Sequence, residues 1–453
     1  MPPRRRKKKQ NPLRYVLIGL IAACILGSAW MVKLCLDLVS QPPKTSVSVE
    51  KEEPEKPGFF EKEEQTQPTE TEPPAPTVVA TATISAQGDL LMHSGLLTSA
   101  KLEDGSSDFS YMFRYVKEYT AASDLAVANL ETTFGGPNFP YRGNPEFNCP
   151  DAFAQNLKDA GYDLLLTANN HASDTRTQGI KRTLETARAA DLKTLGTMLT
   201  NEEKKYEIVD LNGIRVGMLC YTYADNVTSD GRPSLNFKDY VEDFGIVNFF
   251  RENDLPKFYS EVEGHLAAME AEGVDATVFF VHWGKEYFTT ENATQRAIAQ
   301  KLCDLGIDVI VGGHPHVLQP VDLLTSTADE SHKTVCIYSL GNAVSNQMKN
   351  EDEAFASGHS EDGAVFSVSF EKLSDDTVRL AGAQLLPTWV NRNENSGKRQ
   401  YDIIPLDKSR EGEWGALYGL TDAQYQAAKE SYSRTMTIVG PGLEKVNGDL
   451  TQE

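Results

Sequence analysis

A chain of 453 residues with 40% hydrophobic residues is long enough for one large folded domain or two. Its net charge is −21, yet residues 1–14 hold seven cations (Arg4, Arg5, Arg6, Lys7, Lys8, Lys9 and Arg14) and no acid, so −28 rests on the remainder. An acidic body argues against nucleic acid as a partner, because phosphate contacts need cations, and six cysteines without a Cys-x-x-Cys pair argue against a disulfide framework, leaving only a single bridge open.

Residues 1–14 read as a cytoplasmic basic segment. Tyr15 to Val32 is an uncharged apolar stretch of about 18 residues, long enough for one transmembrane helix. The positive flank predicts a cytoplasmic N-terminus and an extracellular main domain, hence a single-pass protein of the cell membrane. Two readings compete: a cleavable signal peptide, and a lipoprotein box at Ile21-Ala22-Ala23-Cys24. Trp30-Met31-Val32-Lys33-Leu34 follows where a small-residue cleavage site belongs, and apolar sequence continues past Cys24, so a retained anchor over 15–39 is expected. Residues 40–77, rich in Pro, Glu, Lys and Thr, cannot bury a core. They are expected to form a disordered stalk.

A folded domain is expected over 78–390, with 391–453 as a C-terminal extension. Val78 to Ala86 reads as a strand. Phe109, Met112, Phe113 and Val116 have helical spacing. Leu125 to Ala128 and Leu164 to Leu166 are short apolar strands. Asp151 to Ala160, with Asp151 as a candidate cap, and Gly179 to Ala190 read as helices. Asn212-Gly213 between Tyr206–Leu211 and Ile214–Tyr221 is a strong hairpin signal. Helices over Lys257–Glu272 and Thr294–Leu305 alternate with strands over Ala276–Val281 and Ile307–Val311. Further strands are expected at Thr334–Tyr338, Ala364–Phe370 and Thr377–Leu386, and a helix near Thr421–Ser433. This order predicts a layered α/β fold with helices outside.

Five strands end in residues suited to metal. They give Asp89, then Glu131, then Asn170-His171, then His282, then His314-Pro315-His316. In open α/β sheets, sites form at the carboxyl ends of strands. The last follows Gly312-Gly313, a pair that lets the backbone turn sharply, while Pro315 resists helix. Each has an ordinary alternative: Asp89 a turn residue, Glu131 a solvated acid, Asn170-His171 a helix cap, His282 a core histidine. Five such ends together point to one shared site. Two divalent ions about 3.5–4 Å apart can clamp the attacking and leaving oxygens of an in-line displacement, and want a bridging carboxylate with further ligands on each ion. Asp89, Glu131, Asn170, His282, His314 and His316 supply such a set, and His171 could donate a proton to a leaving group. His93 is an additional candidate. His265, His332 and His359 read as surface residues.

These residues lie in motifs that resemble the CapA family of capsule and poly-γ-glutamate synthesis proteins, itself similar to the calcineurin-like metallophosphoesterases. The motifs are Gly88-Asp89, Asn129-Leu130-Glu131, Ala168-Asn169-Asn170-His171 with Asp174, His282-Trp283-Gly284-Lys285-Glu286-Tyr287, Gly313-His314-Pro315-His316 with Gln319-Pro320, and Tyr338-Ser339-Leu340-Gly341-Asn342. They run in order from about Ile84 to Phe370. The resemblance implies a four-layer α/β/β/α metallophosphatase-like sandwich with two divalent metal ions (Mn, Zn or Fe), and adds Asn129 and Asp174 to the candidate site. It implies a membrane-anchored component of capsule or polyglutamate synthesis or export, with an envelope polymer and synthase or export subunits as partners. Metal-dependent hydrolysis of a phosphoester or an amide-type bond is one expectation, and a non-catalytic polymer-binding or scaffolding subunit the other. The sequence departs from the phosphoesterases at Asp89-Leu90-Leu91, where Asp-x-His is usual. It departs again at Glu131 in place of a bridging aspartate, at Ala172 in place of an acid, and at Thr175-Arg176-Thr177 in place of Tyr-Gly. Metal binding therefore carries over better than phosphatase activity.

Overall fold

Alternating apolar runs and turn residues set the order of elements. The computed structural model describes residues 75–229, 231–394 and 397–450, and the statements below concern these. The basic segment, the expected anchor over 15–39 and the stalk as far as residue 74 lie outside them. No helix among the described residues is long and apolar enough to cross a membrane. In chain order the elements are β1 (Val78–Leu90), α1 (Ser94–Ala100), α2 (Lys117–Thr120), β2 (Leu125–Asn129), α3 (Ala152–Asp159), β3 (Leu164–Leu166), α4 (Arg176–Ala189), β4 (Lys193–Leu195), β5 (Tyr206–Leu211) and β6 (Ile214–Tyr223). The two-residue strands β7 (Asn226–Val227), β8 (Pro233–Ser234) and β9 (Phe249–Phe250) come next, then α5 (Leu255–Ala271), β10 (Ala276–His282), α6 (Ala293–Asp304), β11 (Val309–Gly313), β12 (Val321–Thr325), β13 (Lys333–Ile337) and β14 (Asn342–Val344). Last are β15 (Asp362–Leu373), β16 (Val378–Asn393), β17 (Gln400–Pro405), α7 (Trp414–Tyr418) and α8 (Asp422–Leu450).

The fold is mixed α/β. One sheet has the order β17-β16-β15-β1-β2-β3-β4, with β14 beside β1, and the other β12-β13-β11-β10-β6-β5, with β9 beside β6. The inner faces share one apolar cluster, in which Ile84, Val127 and Leu164 of the first sheet join Val216, Val278, Val309 and Val335 of the second. Leu96, Phe113, Phe153 and Leu157 cover the outer face of the first sheet, and Phe258, Val262, Ile298 and Leu302 that of the second. Strands β1 to β4 are parallel, as are β6, β10, β11 and β13. Parallel strands covered on both faces need near-continuous apolar runs, which Leu125–Ala128 and Ile307–Val311 are. Parallel order also gathers the carboxyl ends of the strands along one rim of each sheet.

Local chemistry explains most boundaries. Asn212 and Gly213 both take positive φ, 58° and 87°, as a two-residue hairpin requires. Helix α6 starts on a reciprocal capping box between Asn292 and Gln295. Asp151 makes no cap bond to α3; its carboxylate pairs with Arg182 at 2.6 Å instead. The helix expected around Phe109–Val116 is a 3₁₀ turn over Ser110–Phe113 leading into α2. There the Asp108 and Asn156 side chains take the Ser110 and Phe109 amides, and local side-chain acceptors compete with helix. Met112, Phe113 and Val116 are nonetheless buried. The four described cysteines, Cys149, Cys220, Cys303 and Cys336, are free and buried.

Residues 391–450 complete β16 and add β17, α7 and α8. Helix α8 runs well beyond the expected Ser433, through Pro441. Ala428, Ser431, Thr435, Val439, Leu443 and Val446 bury one face of it, and a side chain at Gly442 would overlap the Val321 carbonyl. Tertiary packing on β12 thus outweighs a helix-breaking proline. Arg434 clamps the start of β15, with Nη2 2.7 Å and Nε 2.8 Å from the Asp362 carboxylate, which Ser431 also reaches at 2.6 Å. Burial pushes Asp362 up to about 6, against the opposing pull of Arg434 and Ser431. Its folded value lies above the ordinary 3.8, so this group costs stability as pH rises from about 4 through 6. Arg434→Met should therefore lower stability by about 3 kcal/mol at pH 8, because it strands a buried charge. The loss should narrow as pH falls towards 6 and Asp362 takes up a proton, as read by urea denaturation across that range.

Candidate metal centre

Two glycines let neighbouring strand ends lie close together at this rim. At Gly88, just before Asp89, a side chain would overlap the Gly341 carbonyl. The Asp89 amide donates to that carbonyl at 3.0 Å. At Gly312, a side chain would strike the Tyr338 carbonyl and the Trp283 indole. The Gly312-Gly313 pair thus serves close approach rather than the turn. Positive φ falls instead on His314 (96°) and His316 (58°). Such non-glycine strain, of order 1–3 kcal/mol per residue, clusters at ligand clamps and active sites.

The structure brings Asp89, Glu131, Asn170, His282, His314 and His316 into one buried group. Glu131, His314 and His316 offer ligand atoms within 4.8 Å of one another, as do Asp89, Glu131 and His282. Glu131 belongs to both triads. His316 Nδ1 lies 3.0 Å from Asp89 Oδ2 and 3.1 Å from Asn342 Oδ1. His282 Nε2 lies 2.8 Å from Asn170 Oδ1 and 3.6 Å from Glu131 Oε1. Asn129 Nδ2 donates to Asp89 Oδ1 at 2.7 Å and to Glu131 Oε2 at 3.2 Å, so it braces both carboxylates. Its own oxygen accepts from Asn169 Nδ2 at 3.1 Å. A void of about 20 Å³ beneath the site is lined chiefly by apolar groups such as Leu166, Phe280 and Val311, with Asp89, Asn129 and His282 at its polar edge.

Charge at this site is poorly balanced by protein alone. Asp89 and Glu131 are fully buried. Burial raises Asp89, but the bonds and charge of His316 and the Asn129 amide outweigh it and hold the carboxyl below its usual range. Burial, then the Asp89 charge, push Glu131 well up. Burial and neighbouring histidines push His314 down to about 3 and His282 well down, which keeps both imidazoles neutral, as metal ligation needs. Only His316 is raised, because Asp89 overcomes its burial. Glu131 Oε1 and His314 Nδ1 are buried with no hydrogen-bond partner. Such orphans are costly, and both are of the kind that divalent metals take. The donor set fits divalent ions.

His171 stands beside this group. Its Nδ1 lies 2.7 Å from Asp174 Oδ2, a carboxylate that also accepts from the Phe147 amide at 2.6 Å and from Lys238 Nζ at 3.3 Å. Asp174 is therefore an orienting partner outside both triads. His93 also stands outside them: its Nδ1 lies 3.2 Å from the Leu91 carbonyl and accepts from the Asn346 amide at 3.3 Å. Burial and the His316 charge lower it to about 4. Sequence reasoning missed Tyr223, whose ring stacks on His282 with centroids 6.3 Å apart. The strand-end rule applied to β6 would have found it. It also assigned no role to Tyr287, over His316, or to Asn342, although both lie in motifs it singled out. Asn236 and Lys238, on an irregular connection, left no signal. His332, read as a surface residue, bonds the Ile307 carbonyl at 3.0 Å.

The family model described as bacterial capsule synthesis protein PGA_cap matches residues 83–347, which contain both triads. The chain is 31% identical over 278 residues to the PGA biosynthesis protein CapA of Bacillus subtilis (strain 168), covering 60% of this chain and 66% of that one. It is 29% identical over 266 residues to the capsule biosynthesis protein CapA of Bacillus anthracis, covering 56% and 59%. The matched region is thus less than two thirds of either relative's length. Among solved structures, the NAD nucleotidase NadN of Haemophilus influenzae aligns with a TM-score of 0.42 at 12% identity, over 80% of this chain and 63% of that one. The calcineurin-like phosphoesterase YfkN of Bacillus subtilis aligns with a TM-score of 0.37 at 14% identity, over 68% and 90%.

The charge imbalance has a measurable consequence. Without metal, Glu131 sits above its ordinary 4.5, so it costs stability progressively as pH rises beyond that value. Glu131→Gln should raise the melting temperature of chelator-treated protein, and more at pH 8 than at pH 5. Mn²⁺ should then raise the melting temperature of the native chain and leave the variant nearly unmoved.

Proposed function

The chain belongs to the bacterial capsule synthesis protein PGA_cap family, and from that membership and the buried ligand triads we propose a metal-dependent hydrolase of the cell envelope. In this reading the protein is anchored by residues 15–39, faces outward, and acts in capsule or poly-γ-glutamate synthesis or export. Its partners are an envelope polymer and the subunits that make or move it. The arrangement of helices outside two facing sheets supports a metallophosphatase-like sandwich. The observation that carries the hydrolytic reading is the pair of buried orphans, Glu131 Oε1 and His314 Nδ1, within triads that share Glu131.

Asp89, Glu131, Asn170, His282, His314 and His316 would hold two divalent ions, Mn, Zn or Fe. Ions so held supply an acidified water and electrophilic stabilisation of a phosphoester or an amide-type carbonyl. The chain's own residues do the rest. Asp174 accepts from His171 Nδ1–H, which fixes that tautomer and leaves Nε2 to move a proton at the leaving group. The Phe147 amide and Lys238 hold the Asp174 carboxylate in place. Asn129 keeps Asp89 and Glu131 converged.

A second reading is favoured by one observation. Leu91 stands where the phosphoesterases usually carry a ligand histidine, and His93 turns its Nδ1 to backbone groups instead. A weakened first metal suits a polymer-binding or scaffolding subunit. The Mn²⁺-loaded chain should hydrolyse bis(p-nitrophenyl) phosphate, and His171→Asn should lower kcat by about 10²–10⁴ while leaving metal content unchanged. No turnover by the loaded native chain would favour the scaffolding reading, and an unaltered kcat in the variant would overturn the proton-transfer role of His171.

A further inference from the structure

Between Tyr223 and Phe249 the chain leaves the second sheet and forms the small β7–β8 ribbon. Beyond it the segment Leu235 to Lys238 closes into a tight turn. The Lys238 amide donates to the Leu235 carbonyl at 3.0 Å, and Leu235 is buried. The two residues between them, Asn236 and Phe237, both take positive φ, 48° and 60°. Asparagine tolerates that conformation, whereas a bulky residue there is a backbone outlier.

Both neighbours of Phe237 are tied to the candidate site. Asn236 Oδ1 accepts from Asn170 Nδ2 at 3.1 Å. Asn236 Nδ2 lies 3.4 Å from each ring nitrogen of His171. Lys238 Nζ donates to Asp174 Oδ1 at 3.3 Å and to the Pro145 carbonyl at 2.7 Å. Phe237 itself is 83% exposed, the highest value among the exposed large hydrophobics of the described residues. An exposed aromatic is ordinary by itself. This one combines exposure with a disfavoured backbone, so neither burial nor local conformation stabilises it where it stands. Strained positions of this kind persist where the surroundings over-determine them, as at ligand clamps. Here the bonds of Asn236 and Lys238 do so.

We propose that Phe237 is a substrate-contacting residue that sets specificity. It offers its ring to an apolar, ring-sized group on the leaving-group side of the substrate, beside His171. Asn236 and Lys238 are positioning residues that hold the turn in place. This deepens the hydrolytic reading and rests on it.

Non-hydrolysable phosphonates test the role without turnover. With the full chain loaded with Mn²⁺, 1-naphthylmethylphosphonate should bind about ten-fold tighter than ethylphosphonate by titration calorimetry, the size expected of one aromatic contact. Phe237→Ala should abolish that preference while leaving ethylphosphonate affinity unchanged, and Phe237→Trp should keep it. A native chain that binds both equally, or an alanine variant that keeps the preference, would overturn the role of Phe237 alone. A native chain that binds neither would overturn the hydrolytic reading together with it.

Discussion

Two carboxylates buried within one small site are the constraint on which the rest of this structure depends. Asp89 and Glu131 are both shut off from water, and burying a charge is costly unless it is paired. His316 compensates Asp89. Among the described residues Glu131 Oε1 has no hydrogen-bond partner, with only His282 and His316 near it at 3.6 and 3.8 Å, while Asn129 presses both carboxylates together with one amide. A fold that spends this much on converging like charges has a use for the potential they create. The neutral imidazoles of His282 and His314 beside these carboxylates make a donor set that fits divalent cations.

The architecture delivers those groups from two directions. The first sheet contributes Asp89, Glu131 and Asn170 from the ends of β1, β2 and β3, and the second contributes His282, His314 and His316 from β10 and β11. Gly88 and Gly312 carry no side chain where carbonyls of neighbouring strand ends pass, and a side chain at Gly313 would crowd the Asp89 carboxylate of the other sheet. The apolar cluster between the sheets fixes their separation, so a site built from both inherits the rigidity of the core. The strain sits at the two histidines of the 312–316 loop, where a small change in backbone would most readily move a ligand.

Much of this was legible in the chain, and for physical reasons. Apolar runs such as Leu125–Ala128 and Ala276–Val281 reported buried parallel strands, and the polar residues that follow them reported the rim where those strands end. Asn212-Gly213 reported its hairpin because both positions need positive φ. The opaque parts share a cause, namely contacts between residues far apart in sequence. Pro441 argues locally against a helix that packing on β12 nevertheless carries to Leu450. Phe109–Val116 has helical spacing, yet Asp108 and Asn156 draw its amides into a tighter turn. The Asp89–His316 bond spans 227 residues, and the Lys238–Asp174 contact arises from an irregular connection that no periodicity marks. His93 has a suitable residue type two positions beyond Leu91, but it stands outside both triads, with its Nδ1 against the Leu91 carbonyl and the Asn346 amide.

The central proposal is that the two triads, which share Glu131, would hold two cations. Electron paramagnetic resonance of the Mn²⁺-loaded chain, with the metal counted by equilibrium dialysis, tests it most directly. The account predicts about two Mn²⁺ per chain and an exchange-coupled spectrum, as expected for ions about 3.5–4 Å apart. A single uncoupled ion per chain, or none, would contradict it.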